Sequence, residues 1–160
     1  MRGPRKIDGT LQVNPENVRT IRCFTVGTGS AKDAVAIDFS TTTHGLFHAA
    51  QANTGTTGHA ATIAGVALEA WTAAGQIINV QVLGPVTEVP VADGIAIGVK
   101  LYATGTAGRL DDVETLVAGN SEANIETAVA ATAVGIATTA GAGTSGSQTA
   151  SVYLLNPLSL

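Results

Sequence analysis

The sequence is poor in charged residues, in aromatic residues and in cysteine. Charged residues make up 12% of the 160-residue chain and aromatic residues 4%, while 45% of the residues are hydrophobic. A core of this chain must therefore be packed mainly from Ala, Val, Ile and Leu. Because charged residues usually form about a quarter of a soluble domain, few charges remain to keep copies apart. We expect partners to cover much of the surface.

Cysteine and long apolar runs are also scarce. A single cysteine, Cys23, excludes an internal disulfide framework and agrees with synthesis in a reducing compartment. No apolar run approaches the ~18 residues of a membrane span, and no secretory signal follows Met1. We therefore expect synthesis in the cytoplasm and no membrane partner. Cys23 lies in an alternating segment, which favours a small core residue over a nucleophile that needs an adjacent histidine.

The basic residues are concentrated at the amino end. Residues 1–22 hold five basic and two acidic side chains, net +3, and the remainder holds three basic and ten acidic ones, net −7. The five are Arg2, Arg5, Lys6, Arg19 and Arg22. Residues 1–19 show no sustained hydrophobic period, which predicts a basic arm that orders on contact with a partner; a solvated terminus is the alternative. The acidic body and few aromatics argue against nucleic-acid binding.

Residues 20–160 read as one β-rich domain. Apolar residues alternate in short segments between Gly, Thr, Asn and Pro, the pattern of half-buried strands. The predicted strands cover 20–26, 34–39, 61–68, 76–83, 95–102, 129–137 and 148–155. The only plausible helix covers 120–131, where Ser121 provides a cap and Ala, Glu and Ile follow. The fold class is thus all-β, with hairpins and at most one short helix.

One unit of sequence occurs twice. Gly65-Val66-Ala67 leads to a segment ending in Leu83-Gly84-Pro85, and Gly135-Ile136-Ala137 leads to one ending in Leu155-Asn156-Pro157. Each unit predicts a hairpin whose second strand stops at the proline, which cannot donate to a ladder. Two copies are too few for a solenoid, so we expect corresponding parts of one sandwich or barrel.

Several patterns that carry chemistry elsewhere lack their context here. Residues 141–146 match G-x-G-x-x-G, but a strand-like segment follows where a nucleotide site needs a helix, so a hairpin loop is expected. His44, His48 and His59 lack the helix that would align a zinc site. The acidic cluster Asp111, Asp112 and Glu114 lacks the spacing of a calcium loop and is predicted to be solvated. We expect no metal, no cofactor and no catalytic residues.

Trp71 is the only tryptophan and follows the first strand of the first unit. It is either a core residue or an interface anchor, since large aromatic side chains are frequent at binding hot spots. The sequence leaves both roles open. As interface candidates we therefore name Trp71 and the five basic residues of the amino end.

In order and spacing, the apolar segments resemble the capsid decoration, or cement, proteins of tailed bacteriophages. The resemblance covers about residues 20–157 and rests on segments 24–27, 33–39, 64–70, 74–76, 80–85, 98–110 and 134–137. It implies a barrel-like or tulip-shaped β domain that forms a homotrimer. It also implies binding to the outer surface of an assembled icosahedral head, where each trimer bridges major capsid proteins and stabilises the virion.

Two other classes of function stay open from sequence. An adhesive or fibre-type binding module on a particle surface would also carry a Thr- and Gly-rich surface with few charges. An enzyme would need a pocket with convergent polar groups, which no motif indicates. We therefore expect a structural protein and not an enzyme.

Overall fold

The chain folds almost entirely into β-strands, as the alternating pattern predicts. The computed structural model describes residues 18–53, 62–112 and 133–157. These residues form ten strands: β1 Arg19–Thr25, β2 Ala34–Thr43, β3 Leu46–Gln51, β4 Ile63–Ala67, β5 Ile77–Val91, β6 Lys100–Ala103, β7 Leu110–Asp111, β8 Gly135–Ala137, β9 Ala142–Thr144 and β10 Ser147–Leu155. The predicted helix at 120–131 lies outside the described residues. No helix in these three ranges is long and apolar enough to cross a membrane.

The strand at 95–102 is the least accurate of the sequence predictions. Strand β6 begins only at Lys100. Gly98 has φ +86°, a left-handed conformation that interrupts an extended strand, and the Ile97 side chain is 68% exposed. The alternation of Ile95, Ile97, Val99 and Leu101 was therefore wrongly interpreted as one buried face. Strands β3, β7 and β9 were not predicted at all.

Strand pairing closes two rings that share β5. In the first ring, β1, β3, β2, β4 and β5 pair in that order, and β5 returns to β1. In the second ring, β5, β7, β6, β8 and β10 pair in that order, and β10 returns to β5. Closure leaves both rings without free edges. The predicted barrel-like fold is confirmed.

The two rings are copies of one topology. Each is built from five segments in the same chain order, and each has one parallel pair, β1 with β3 in the first and β5 with β7 in the second. Residues 77–83 of β5 end the first copy, and residues 84–91 begin the second. We call residues 19–83 the first half and residues 84–155 the second half. The hairpin strand β9 is an addition to the second half.

The registers of the two halves also agree residue by residue. Five partner pairs of the first half each have an equivalent pair in the second half. Ala34–Val66 corresponds to Lys100–Ile136, Val35–Gly65 to Leu101–Gly135, Val66–Gln81 to Ile136–Tyr153, Ala67–Val80 to Ala137–Val152, and Thr25–Ala49 to Val91–Leu110. The doubled unit of the sequence is thus part of a duplication that covers both rings.

Equivalent positions fill the interiors of the two rings. The first interior is built from Cys23, Val35, Ile37, Ala49, Ala64, Ala67, Ile78, Val80 and Val82, and the second from their equivalents Val89, Leu101, Ala103, Leu110, Val134, Ala137, Ala150, Val152 and Leu154. All are buried. Side chains at equivalent interior positions differ in volume but are apolar in both rings. This is expected when packing constrains shape and hydrophobicity more than residue identity.

The proline of the first unit does not end its strand. Pro157 follows the end of β10 as predicted, but β5 continues through Pro85 to Val91. Gly84, with φ +97°, turns the strand at this point. Residues before it pair with β1, and residues from Leu83 onward pair with β10. The prediction of a strand end at Pro85 was wrong because β5 there passes from one ring to the other.

The added β9–β10 hairpin is anchored by one carboxylate. Asp93 accepts hydrogen bonds from the Ser145 hydroxyl at 2.5 Å and from the Gly146 amide at 2.9 Å. These two bonds lower the pKa of the Asp93 carboxyl, with a smaller contribution from Arg109. The strand after Ser147 confirms that the G-x-G-x-x-G segment is a hairpin and not a phosphate loop.

We expect Asp93→Asn to loosen this hairpin, because an amide oxygen is a weaker acceptor than a carboxylate. A carboxyl whose folded pKa is depressed stabilises the fold above its unfolded pKa, and that contribution disappears as pH falls through the folded pKa. Protection of the amides at 142–149 from hydrogen exchange, taken relative to the intrinsic rate at each pH, should therefore fall with acid in the parent and be low at all pH values in the variant. Asp112→Asn is the control and should leave the exchange at 142–149 unchanged. Equal protection of Asp93→Asn and the parent at neutral pH would exclude this role.

Candidate interaction surfaces

One difference between the halves is the length of the β2–β3 hairpin. In the first half it spans 38–48 between Ile37 and Ala49, whereas the equivalent connection in the second half is the shorter loop 104–109. His44 and Gly45, with φ +51° and +76°, form a two-residue turn of the type that matches strand twist. The extension projects two phenylalanines, Phe39 and Phe47, which are 41% and 37% exposed.

Aromatic side chains lie on both faces of this hairpin. The rings of Phe39 and Phe47 meet edge to face with centroids 5.0 Å apart. On the neighbouring strands, Phe24 stacks on His48 at 5.6 Å and approaches His44 at 6.3 Å. Val26 and Ile77, both exposed, lie beside Phe24 on the outer face. Phe47 and His48 are consecutive on β3 and therefore point to opposite faces. Phe39 and Phe47, on the side that continues the first interior, form a separate surface, which we call the aromatic patch. Exposed apolar clusters of this kind mark contact sites.

A second surface becomes visible when the halves are compared. On the outer face of the first ring, Ala34, Ala36, Val66 and Gln81 are all buried. Their equivalents in the second ring are Lys100, Tyr102, Ile136 and Tyr153, of which Lys100 is exposed and the others are half-buried. We call these four residues the tyrosine face. Two tyrosines and an isoleucine around one lysine form an amphipathic surface suited to protein contacts.

The outer face of the first ring is buried because the second half packs on it. Ala34, Ala36, Ile63 and Val66 belong to the same apolar cluster as the second interior. The loop 104–109 also touches this face: the Ala34 amide donates to the Gly108 carbonyl, and the Gly108 amide donates to the Ala52 carbonyl. Gly108 lies so close to Asp33 that an added Cβ would be 2.7 Å from its Cγ. In the contact between the two halves, loop 104–109 of the second half therefore lies against the outer face of the first ring. We call this a face-to-loop contact.

The interface residues predicted from sequence fall into three groups. Arg2, Arg5 and Lys6 lie outside the described residues, and the predicted arm with them. Arg19 and Arg22 lie on β1 and are exposed, which leaves them available to a partner. Trp71 is 1% exposed and packs in the first interior. Of the two roles left open for Trp71, this burial favours the core residue, because the ring is already covered within the chain.

The candidate metal and acidic residues that the structure describes are His44, His48, Asp111 and Asp112, and they do not form one group. His44 and His48 flank Phe24, the Thr43 hydroxyl lies 2.7 Å from His48 Nε2, and His59 lies outside the described residues. Asp111 is buried at the end of β7, so the solvated loop predicted for it was wrong, and Glu114 lies outside the described ranges. Within those ranges, no three His, Cys, Asp or Glu side chains are grouped to hold a metal ion.

Cys23 is a core residue, as predicted. Its side chain is 1% exposed inside the first ring, and this burial raises the pKa of the thiol to about 11. At neutral pH the thiol is protonated, and only the thiolate is a strong nucleophile. The position therefore favours packing over reactivity.

Sequence reasoning did not identify either exposed surface. Phe39 stands at the end of the predicted half-buried strand 34–39, and Tyr102 and Tyr153 were not named as interface candidates. The missed signal was the doubled unit: in sequence, Val66 and Gln81 align with Ile136 and Tyr153 once the units are superposed. A change from small residues to aromatics at equivalent positions marks surfaces with different neighbours.

Comparison with known proteins supports the fold. No protein-family model matches the chain, and no curated protein matches it in sequence. Among solved structures, it is similar to the head fibre gp8.5 N base of bacteriophage phi29, with a TM-score of 0.52 and 12% sequence identity. The similarity covers 88% of this chain and 96% of that chain. At this identity the likeness shows a common fold.

Proposed function

We propose that this protein is a structural component of a phage head: a trimeric decoration protein that binds the outer surface of the assembled shell and stabilises it. The observation that carries the proposal is the likeness to a phage head fibre base over nearly the whole of both chains. The order of apolar segments, which resembles decoration proteins, supports the same class independently of that likeness. In this reading the bound partners are the major capsid protein and two further copies of the chain.

The stabilising mechanism is mass action. A protein that binds the assembled shell and not the free subunits adds its binding free energy to the assembled state. Each copy that bridges neighbouring capsid proteins therefore opposes their separation. This role needs contact surfaces and no chemistry, so we propose that the protein is not an enzyme. The exposed Arg19 and Arg22, which continue the basic amino end, give the chain a second contact.

The second candidate is the base of a fibre or adhesive module. The printed description of the similar phi29 structure is a head fibre base, which favours this alternative over other binding modules. Such a protein would also attach to a shell, but it would carry a further projecting part that binds a receptor or carbohydrate. Both candidate proteins attach to the shell. They differ in whether a part that projects away from the shell binds a receptor or carbohydrate.

Mixing the pure protein with undecorated heads tests the proposal. We expect co-sedimentation with heads, added density on the outer surface at a fixed position in a cryo-EM map, and a higher temperature of head disruption. Arg19→Ser with Arg22→Ser should weaken binding more at low salt than at high salt, because high salt already screens the charge contacts that these arginines make in the parent. Lys32→Ser, compared with the single change Arg22→Ser, is the matched control for loss of one charge. Absence of the protein from heads at saturating concentration would remove the proposed function.

A further inference from the structure

We infer that the aromatic patch of one copy docks on the tyrosine face of a second copy, by the same face-to-loop contact that joins the two halves within one chain. This inference rests on the proposed function in one respect, the trimer, and it names the surfaces that would hold that trimer together. The partner is a second copy of this chain because the chain already contains both sides of the contact.

The contact within the chain supplies the geometry. Loop 104–109 of the second half meets Ala34 of the first half through a 2.8 Å hydrogen bond from the Ala34 amide to the Gly108 carbonyl. By the register of the duplicated strands, loop 104–109 is equivalent to hairpin 38–48, and Ala34 is equivalent to Lys100. The equivalent contact would join hairpin 38–48 to Lys100.

Each element of that second contact is left uncovered within the chain. The hairpin projects Phe39 and Phe47, both more than a third exposed. The face around Lys100 carries Tyr102 and Tyr153, half-buried where their equivalents in the first half are buried. Among the residues that the structure describes, the first half thus presents a loop with no face to meet, and the second half presents a face with no loop against it. One copy of the chain completes the other.

The proposed contact between copies joins larger side chains than the contact within the chain, on both the face and the loop that meets it. The face inside the chain is built from Ala34, Ala36 and Val66, and it accepts a loop with glycine at the contact, Gly108. The face around Lys100 is larger in its side chains, and the hairpin that would meet it is longer and aromatic. Phenylalanine rings against tyrosine rings and a lysine allow edge-to-face and cation–π contacts.

Such a contact is heterologous, since different surfaces of the two copies meet. Heterologous contacts repeat from copy to copy until the rotation closes a ring. A closed ring of three would bury all three hairpins and all three tyrosine faces, so that neither apolar surface would stay exposed. This accounts for a domain with few charges and two exposed apolar surfaces without requiring a shell.

Light scattering on three variants tests the contact without any shell. The parent should have three times the 16.0 kDa mass of the chain. Phe39→Ser with Phe47→Ser removes the hairpin side, and Tyr102→Ser with Tyr153→Ser removes the face side; each should give a monomer. Val18→Ser, at a position 40% exposed and outside both surfaces, is the control and should remain assembled. A parent that stays at 16.0 kDa would overturn the contact.

Mixing the two defective variants tests its direction. Each pair of mixed chains retains one intact hairpin and one intact face, so we expect dimers from the mixture and monomers from each variant alone. Dimers of the face variant by itself would indicate that hairpins meet hairpins and would overturn the heterologous contact. Circular dichroism confirms that each variant is folded before mixing.

Single cysteines at exposed positions give a second measurement that does not depend on stability. Chains with Phe47→Cys and chains with Lys100→Cys, mixed under a mild oxidant, should form a disulfide dimer, whereas either alone should not. The native Cys23, buried in the first ring, does not compete. Equal dimer yield from Phe47→Cys alone would overturn the inference. Because no heads are used, failure here leaves the shell-binding test of the proposed function standing on its own result.

Discussion

Replacing Gly65 with alanine should destabilise the folded protein by about 3 kcal/mol or more. A Cβ at Gly65 would lie 2.0 Å from the Gln81 carbonyl oxygen, which belongs to the backbone of the neighbouring strand. A backbone atom cannot rotate away as a side chain does, so β4 and β5 would have to separate. The first ring would then lose the pairing that closes it.

The duplicated partner gives a graded comparison for this prediction. A Cβ at Gly135 would lie 2.7 Å from the carbonyl oxygen of Tyr153, the residue equivalent to Gln81. The overlap is smaller, and we expect Gly135→Ala to cost about 2 kcal/mol. Gly94→Ala is the control: nothing lies within 4 Å of its added Cβ and its φ is +84°, so only the backbone strain of about 1–2 kcal/mol applies. Urea unfolding monitored by circular dichroism measures all three, and equal losses for Gly65 and Gly94 would refute the steric reason.

The losses of unfolding free energy caused by Gly29→Ile and by Trp71→Gly should be strongly non-additive. An added Cβ at Gly29 would lie 2.2 Å from the Trp71 ring, and the two backbones exchange hydrogen bonds of 2.9 Å in both directions. In the second half the equivalent positions hold Ile95 and Gly141, joined by an equivalent 2.9 Å hydrogen bond. The large residue therefore occupies opposite sides of the same contact in the two halves.

Each single change should be severe. Trp71→Gly removes a buried ring and leaves a cavity, at a cost of about 4 kcal/mol, and Gly29→Ile forces the indole out of its site at about 3 kcal/mol. The double variant reproduces the arrangement of the second half. We expect it to recover about 1–3 kcal/mol relative to the sum of the single changes. A double-mutant cycle by urea unfolding measures this coupling; strict additivity would mean that the two halves do not share one packing solution.

The fold class could be predicted because it depends on local patterns. Period-two alternation with Gly and Thr breaks identified β1, β2, β4 and β10 and the first part of β5, and the doubled unit indicated two corresponding parts. Short strands such as β7 and β9 carry too few residues for a period to be visible. Strand β3, with Ala49 as the only fully buried residue, shows little alternation because Phe47, on the same side as Ala49, extends beyond the ring and is exposed.

The contact surfaces could not be predicted because they depend on which face a neighbour covers. Phe39 and Ile37 follow the same alternation, yet Ile37 is 1% exposed and Phe39 41%. The reason lies outside the strand: Ile37 faces the first interior, whereas Phe39 extends beyond the ring on a hairpin that its counterpart in the second half lacks. Trp71 shows the converse, since an aromatic residue expected at an interface is enclosed by its own ring.

The sequence by itself determined an all-β chain with a core of small residues, few charges, one buried cysteine and a repeated unit. Those properties follow from composition and from residues close together along the chain. The tertiary structure decided that the repeat extends to two complete rings sharing β5, and that Pro85 continues a strand. It also decided which of two equivalent faces is buried. Burial depends on contacts between residues far apart in the sequence, and a local pattern does not specify them.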